Sequence, residues 1–469
     1  MLVIISDIHL TDGSSGETVH QGTLRVFRER LRNLAYAASW RTDGKYRPIQ
    51  QIDILLLGDF LDVLRSSRWL EERSAVPSTL RPWDDPASPE FIGQIGSITE
   101  SIIENNAVFF EMMRELCGTA IASVPQATED SRPQRTEAGR EGSPRIAVPV
   151  RIHYMVGNHD WFFHLPHPEY REIRRALVQN LALDNDPDVP FPHDLGEPGA
   201  ETIRRVLNEH GVFARHGDIY DPFNFEGHRD CASLGDAIVI DLVTRFAVEV
   251  KARLGDVLPA ACLPGMKEID NVRPLLMVPV WVSGLLRKTC HDPRLRGQVQ
   301  GIWNDLVDRF TGIPFVRARC KASRYPLEIQ KLKWALRISK RLLSPESSRL
   351  ICWFGEKVAR QQRSYCSHAL QEASFKNHES RFIVYGHTHH HEMAPLDASY
   401  SEDSQSTQIY LNSGTWRPVH ELTRLHPSHE VFAGYHTMTY LAFFKDDERN
   451  GRTFESWSGS LSSSKRGVA

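Results

Sequence analysis

What the chain lacks excludes several classes at once. Nowhere does an uncharged apolar run approach about 18 residues, so no segment is expected to cross a membrane. The opening MLVIISDIHL has no basic start and is interrupted by Asp7, which does not suit a secretion signal. No CxxC pair occurs, and the seven cysteines are odd in number and scattered. A disulfide framework and a thiolate zinc site are therefore not expected, and a reducing cytoplasm is, with peripheral membrane contact as an alternative. Strong overall charge is missing too: the net is −3, and hydrophobic residues at 41% with charged ones at 25% sit near globular averages, against a fibrous or wholly disordered chain. A length of 469 residues allows about three domains.

Present instead are short runs rich in Val, Ile, Leu, Phe and Tyr: 2–6, 52–57, 151–156, 212–215, 381–385, 408–411 and 438–444. Such runs read as strands buried on both faces. Helical spacing is predicted over roughly 21–39, where Leu24, Phe27, Leu31, Leu34 and Ala35 share a face, and over roughly 94–117. Strand, helix, strand is the pattern of a layered α/β fold. Residues 66–90 are punctuated by four prolines and read as a loop, and 118–147, polar and rich in Pro, Ser and Thr, as a mobile loop. The stretch 232–375 is mainly helical in pattern and interrupts the strands. The predicted organisation is a core of 1–231 and 376–469 with 232–375 inserted as a helical cap.

Charge within the cap is lopsided. Residues 284–341 carry fourteen basic side chains against four acidic ones, so the segment is +10 and, with −3 for the chain, the remainder is −13. Its helix at 326–343 begins with Pro326 and carries Lys331, Lys333, Arg337, Lys340 and Arg341. A solvated basic face explains it; so would contact with nucleic acid, an anionic membrane surface or a substrate phosphate.

The informative residues stand just past the strand ends: Asp7 and His9; Gly58, Asp59 and Asp62; Gly157, Asn158, His159 and Asp160; His216; and Gly386, His387, Thr388 and His389. Each piece alone is weak, since Gly-Asp alone occurs four times. The ordered set is not, because ligands gather beyond strand C-termini in α/β sheets. Two divalent cations clamping a phosphoryl group need a carboxylate to bridge them, because it has two oxygens and damps their repulsion. Imidazoles and an amide oxygen complete the positions without neutralising the metals. Asp7 and His9, two apart, share a face; Asn158 and His159, adjacent, point apart, so one can ligate while the other meets substrate.

In this order DxH, GD, GNHD, H and GHTH resemble the calcineurin-like metallophosphoesterase superfamily, through scattered blocks spanning the chain. The resemblance implies a four-layer αββα metallophosphoesterase sandwich with the helical cap inserted, and a dinuclear site. It implies that Asp7, His9 and His389 hold one metal, that Asp59 bridges, and that Asn158, His216 and His387 hold the other. His159 is then the group that stabilises or protonates the leaving oxygen, oriented by Asp62, with Asp160 in a structural role. Asp221 and Asn224, just beyond His216, are candidates to contact substrate. Mn²⁺ is the first choice of cation, with Fe²⁺, Zn²⁺ or Mg²⁺ as alternatives.

Val63 stands where protein phosphatases carry Arg, and GDFLD lacks the Tyr of purple acid phosphatases. The layout is most similar to UDP-diacylglucosamine pyrophosphohydrolases, from which it departs at His159 and in its larger insert. The expectation is a phosphodiester or pyrophosphate hydrolase working by hydroxide attack between two metals on a phosphorylated small molecule or nucleotide-type substrate. The alternatives are a nuclease similar to those of double-strand-break repair, using the basic cap, and a non-catalytic scaffold.

Overall fold

All seven apolar runs become strands, and the reason is visible in their burial. In the computed structural model, which describes residues 1–469 except 17–18, 72–78, 119–121, 135–143, 274–276, 342–363, 402–403, 424–429 and 462–469, the strands are β1 (Leu2–Ile5), β2 (Ile52–Leu57), β3 (Ser123–Pro125), β4 (Arg145–Ala147), β5 (Val150–Met155), β6 (Val212–Ala214), β7 (Val272–Arg273), β8 (Phe382–Tyr385), β9 (His391–Ser401), β10 (Ser404–Ser413), β11 (Pro418–Leu422), β12 (Phe432–Phe443) and β13 (Phe454–Leu461). Every residue of β1, β2 and β8 is buried.

The larger sheet has the order β5-β2-β1-β12-β11-β7, with β13 also on β12; a second sheet runs β6-β8-β10-β9. β5, β2 and β1 are parallel, as are β6, β8 and β10, so the C-terminal ends of each set share an edge. Parallel neighbours need crossovers. Helix α1 (Gln21–Ala38) joins β1 to β2, and α2 (Pro89–Asn105) with α3 (Ala107–Cys117) lies between β2 and β5. Alternation along the strands then divides the core. Val3, Ile5, Ile54 and Ile152 meet Phe27, Ile95, Ile98 and Phe110 of the helices. Leu2, Ile4, Leu55 and Leu57 join Phe382, Val384 and Leu411 of the second sheet in another apolar cluster. The chain is mixed α/β with about 44% helix and several mixed sheets.

The single helix expected over 94–117 is two. The Asn106 side chain donates to Ile102 O (2.7 Å) and Thr11 O (2.8 Å), and this local competition with the helical ladder sits at the break. Within 118–147 the described residues form the β3–β4 pair, and Ala122 and Val124 are buried in the main core, so the segment is partly anchored. After α4 (Tyr170–Leu181) and α5 (Glu201–Glu209) come the helices of the stretch 232–375: α6 (Leu234–Ile238), a π turn at Val239–Thr244, α7 (Arg245–Leu254), α8 (Cys262–Lys267), α9 (Val278–Thr289), α10 (Pro293–Gly312), α11 (Pro314–Ala322) and α12 (Pro326–Ser339). They enclose their own apolar cluster around Phe246, Val280, Trp303 and Phe310.

The stretch 232–375 is not helical throughout. It supplies β7 to the larger sheet, beside β11, and its last part, at Tyr365 and Ala369, packs on Ile383, Tyr385 and Tyr410 of the second sheet. Of the basic helix expected over 326–343, residues 326–339 are helical, and 342–343 lie outside the described residues. Among the described residues no helix is long and apolar enough to cross a membrane.

Candidate metal centre

The ends of five strands meet at one place. Asp7 and His9 follow β1, Asp59 and Asp62 follow β2, and Asn158 and His159 follow β5; His216 follows β6, and His387 and His389 follow β8. The backbone there is unusual. Asp7, His9, Asp59, His387 and His389 all have positive φ, between 52° and 66°. Left-handed backbone costs an L-residue on the order of 1 kcal/mol each, less for short polar residues. Strand-end hydrogen bonds hold it: Asp7 N–H donates to Gly58 O and His9 N–H to Asp59 O (2.9 Å). Asp160 ties the same loops, accepting from Gly157 N (2.6 Å), Phe60 N (2.9 Å) and the Tyr154 hydroxyl (2.6 Å).

Two groups of donor atoms result. In the first, His9 Nε2 lies 3.1 Å from His389 Nε2 and 3.8 Å from Asp7 Oδ1, and His389 Nε2 lies 3.4 Å from Asp7 Oδ1. In the second, Asn158 Oδ1 lies 3.3 Å from His216 Nε2 and 3.0 Å from His387 Nδ1. Asp59 Oδ2 stands between them, 3.6 Å from His9 Nε2 and 3.3 Å from His216 Nε2. Donors that share one cation at about 2.1 Å stand about 3.0–3.4 Å apart; the two contacts of His9 with Asp7 and Asp59 are wider and the others fall in that range, a spacing compatible with a cation in each group and Asp59 common to both.

The hydrogen bonds leave the right atoms bare. Asp7 Oδ2 accepts from the Ser6 hydroxyl and from His387 N–H (3.0 Å), whereas its buried Oδ1 has no hydrogen-bond partner. His9 Nδ1–H donates to Asp62 Oδ2 (2.9 Å), His216 Nδ1–H to Leu57 O (2.9 Å) and His387 Nε2–H to Asp221 Oδ2 (3.2 Å). Each ring therefore turns its other nitrogen, with a free lone pair, toward the cluster. His389 is the exception: Arg273 Nη2 donates to its Nδ1 (3.1 Å), and to serve through Nε2 it must lose that contact.

His159 is placed differently. Its Nδ1–H donates to Asp62 Oδ1 (2.7 Å), which leaves Nε2 for another partner, and its backbone N–H donates to Asp59 Oδ1 (2.8 Å). Burial alone would raise the Asp59 carboxyl, but His216, His159 and His9 outweigh it and hold it well below the usual range. Burial would likewise lower His159, but Asp62 and Asp59 outweigh that and raise it. His389 is pushed well down by burial and by Arg273, which keeps the ring neutral.

All nine residues expected at the centre or behind it are thus brought together; Asp221 and Asn224 line the adjoining cavity, and Asp221 also meets His387. That cavity, about 610 Å³, is lined by Asp59, His159, Arg65 and Arg273 and by the apolar Leu242, Trp303 and Leu336. Sequence reasoning missed three arginines, two of them buried and Arg273 half-buried. Arg65 and Arg417 lie 3.1 Å and 3.4 Å from Asp62 Oδ2, and Arg273 touches His389. Only Arg65, three residues after Asp62, had a positional signal.

The basic segment 284–341 is partly neutralised where it is described: Arg287 pairs with Glu430, Arg309 with Glu249 (2.6 Å), Arg319 with Glu226 (3.4 Å), Lys331 with Glu328 (2.6 Å) and Lys340 with Asp308 (2.7 Å). Compared with known protein families and with curated proteins, the chain matches no family model and no curated sequence.

Proposed function

We propose that the protein is a dinuclear metal-dependent phosphoester hydrolase, acting on a phosphodiester or pyrophosphate, on the four-layer metallophosphoesterase frame that its motifs resemble. The observation that carries the reading is the position of Asp59 Oδ2 between two donor groups while Asp7 Oδ1 stays bare in the interior. Asp7, His9 and His389 would hold one cation, Asn158, His216 and His387 the other, with Asp59 shared. Bound there, a pair of divalent cations supplies Lewis acidity on the phosphoryl oxygens and a nucleophile from water at neutral pH.

The remaining work falls to the chain. His159, held by Asp62 through Nδ1, presents Nε2 to the cavity and can give a proton to the departing oxygen. Arg65 and Arg273 line the same cavity and offset negative charge that grows on the phosphoryl group. The apolar wall of Leu242, Trp303 and Leu336 suits an ester carrying an apolar group more than a phosphoprotein loop. Residues 232–375 would form the cap that supplies this wall.

The test is a manganese-loaded panel of a bis-aryl phosphate, its mono-ester, a nucleotide-sugar lipid and single-stranded DNA, run beside Asp59→Asn. Hydrolysis of diester or pyrophosphate that chelator abolishes is expected. Asp59→Asn is expected to lose most of its metal and at least about 10³-fold in turnover. A variant that keeps both overturns the shared role of Asp59. DNA cleavage whose binding falls steeply with salt would move the substrate to nucleic acid.

A further inference from the structure

A second group of donors lies apart from this centre and shares no residue with it. His164 closes the short turn Trp161–His164, next in the chain after Asn158, His159 and Asp160. His193 and Glu197 belong to the connection between α4 and α5, and Asp230 to the stretch that leads into α6. One ligand atom each from His164, His193 and Glu197 lies within 4.8 Å of the others.

The details favour a cation over an ordinary ion-pair knot. His164 Nε2 is 3.3 Å from Glu197 Oε2, the edge expected of a tetrahedron with bonds of about 2.0–2.1 Å. His193 Nδ1 is 2.7 Å from Glu197 Oε1, so both imidazoles reach the same carboxylate. Glu197 is fixed beforehand, since Oε2 accepts the backbone N–H of His193 (2.9 Å) and of Asp194 (3.2 Å). On the far side of His164, Nδ1–H donates to Asp230 Oδ1 (2.6 Å). A carboxylate behind an imidazole fixes the tautomer and raises the basicity of the opposite nitrogen, the arrangement that supports histidine as a metal ligand. The rings of His164 and His193 meet edge to face at 5.0 Å, each with its own path to Glu197.

We infer that His164, His193 and Glu197 form a separate mononuclear site for a transition-metal dication of the zinc type, with Asp230 orienting His164 and solvent as the fourth donor. Two imidazoles and one carboxylate select such an ion over Mg²⁺ or Ca²⁺, which prefer oxygen. The three side chains are 16%, 19% and 24% exposed, enough for solvent to reach the fourth position. The bound ion would brace three segments: the turn behind His159, the connector from α4 to α5, and the approach to the insert.

The experiment is zinc binding to the tag-free, metal-stripped full chain, read by equilibrium dialysis and elemental analysis. Asp59→Asn disables the other centre, so it isolates this one. The Asp59→Asn protein is expected to keep one tight zinc equivalent. Adding Glu197→Gln, close to isosteric, is expected to weaken that equivalent at least about tenfold, and adding His193→Ala to remove it. If His193→Ala fails to fold, Glu197→Gln decides alone. Loss of all zinc in Asp59→Asn, or equal zinc affinity with and without Glu197→Gln, overturns the site. Neither result touches the proposed hydrolase, whose own readout is turnover.

Discussion

One carboxylate serves two imidazoles: Asp62 Oδ1 accepts from His159 Nδ1 at 2.7 Å while its Oδ2 accepts from His9 Nδ1 at 2.9 Å. A ring that could hold a metal and a ring that could move a proton are therefore set by the same side chain. With Asp62→Asn, both rings lose an anionic partner, and metal affinity is expected to fall about 10–100-fold and kcat about 10²-fold at saturating metal. Manganese titration separates the two effects. A change in only one of them would show that Asp62 orients only one ring.

His159→Ala should behave otherwise. The backbone N–H of residue 159, which holds Asp59 Oδ1, is retained, so metal content is expected to be unchanged while kcat on a diester falls about 10²–10³-fold. A substrate with a good leaving group should lose less. Equal losses on good and poor leaving groups would place the proton donor elsewhere.

Gly157 offers a test of close packing. A Cβ there would collide with Asp59 Oδ1 and come within 2.8 Å of Asp59 N and of His216 Cδ2. Gly157→Ala is expected to fold, by circular dichroism, yet to bind metal at least about tenfold more weakly, because both donors must shift. Undiminished metal affinity would show that the loop has room to yield.

Acid sensitivity has an identifiable contributor away from the centre. Burial holds His210 down at about 4, against 6.5 for the free side chain, and its Nε2 has no partner. The unfolded chain takes up a proton that the folded one refuses, so stability from this group is whole above pH 6.5 and is lost as pH falls toward 4. His210→Gln removes that penalty, worth up to about 3 kcal/mol. The drop in melting temperature between pH 7 and pH 4.5 is expected to shrink. An unchanged drop would rule His210 out.

A buried ion pair ties the stretch 232–375 to the segment before α2. Arg81 Nε and Nη2 each lie 3.0 Å from an oxygen of Asp241 in the π turn. Arg81→Ala leaves that carboxylate with Arg245 alone and is expected to cost about 3–5 kcal/mol. Arg81→Met with Asp241→Leu should recover much of it, by urea unfolding. A double variant that loses as much as Arg81→Met and Asp241→Leu lose together as single changes would show that the pair adds no coupling.

Much of the architecture was legible because aliphatic runs and the residues after them carry strong signals. The runs 2–6, 52–57 and 151–156 became β1, β2 and β5, and the side chains past their ends converge. The remainder lacked such signals. β7 is two residues long and has no period to detect, so the arrival of Arg273 beside His389 was invisible. β9 contains Pro395 and many polar residues; it lies at a sheet edge, where its pairing with β10 shifts register between Gln408 and Ile409. The first half of β12 is more exposed, so only 438–444 stood out as an apolar run. Asn106 breaks its helix through a hydrogen bond to Thr11, a long-range contact that helical spacing does not report.

The left-handed backbone at Asp7, His9, Asp59, His387 and His389 also restricts how this centre could be redesigned. Such conformations admit Asn, Asp, His and Gly with little penalty and β-branched residues with a large one. Attempts to retune ion preference by exchanging donors are thereby confined to a small alphabet of short polar side chains. Valine or threonine at these points would disturb the chain path before it altered the chemistry.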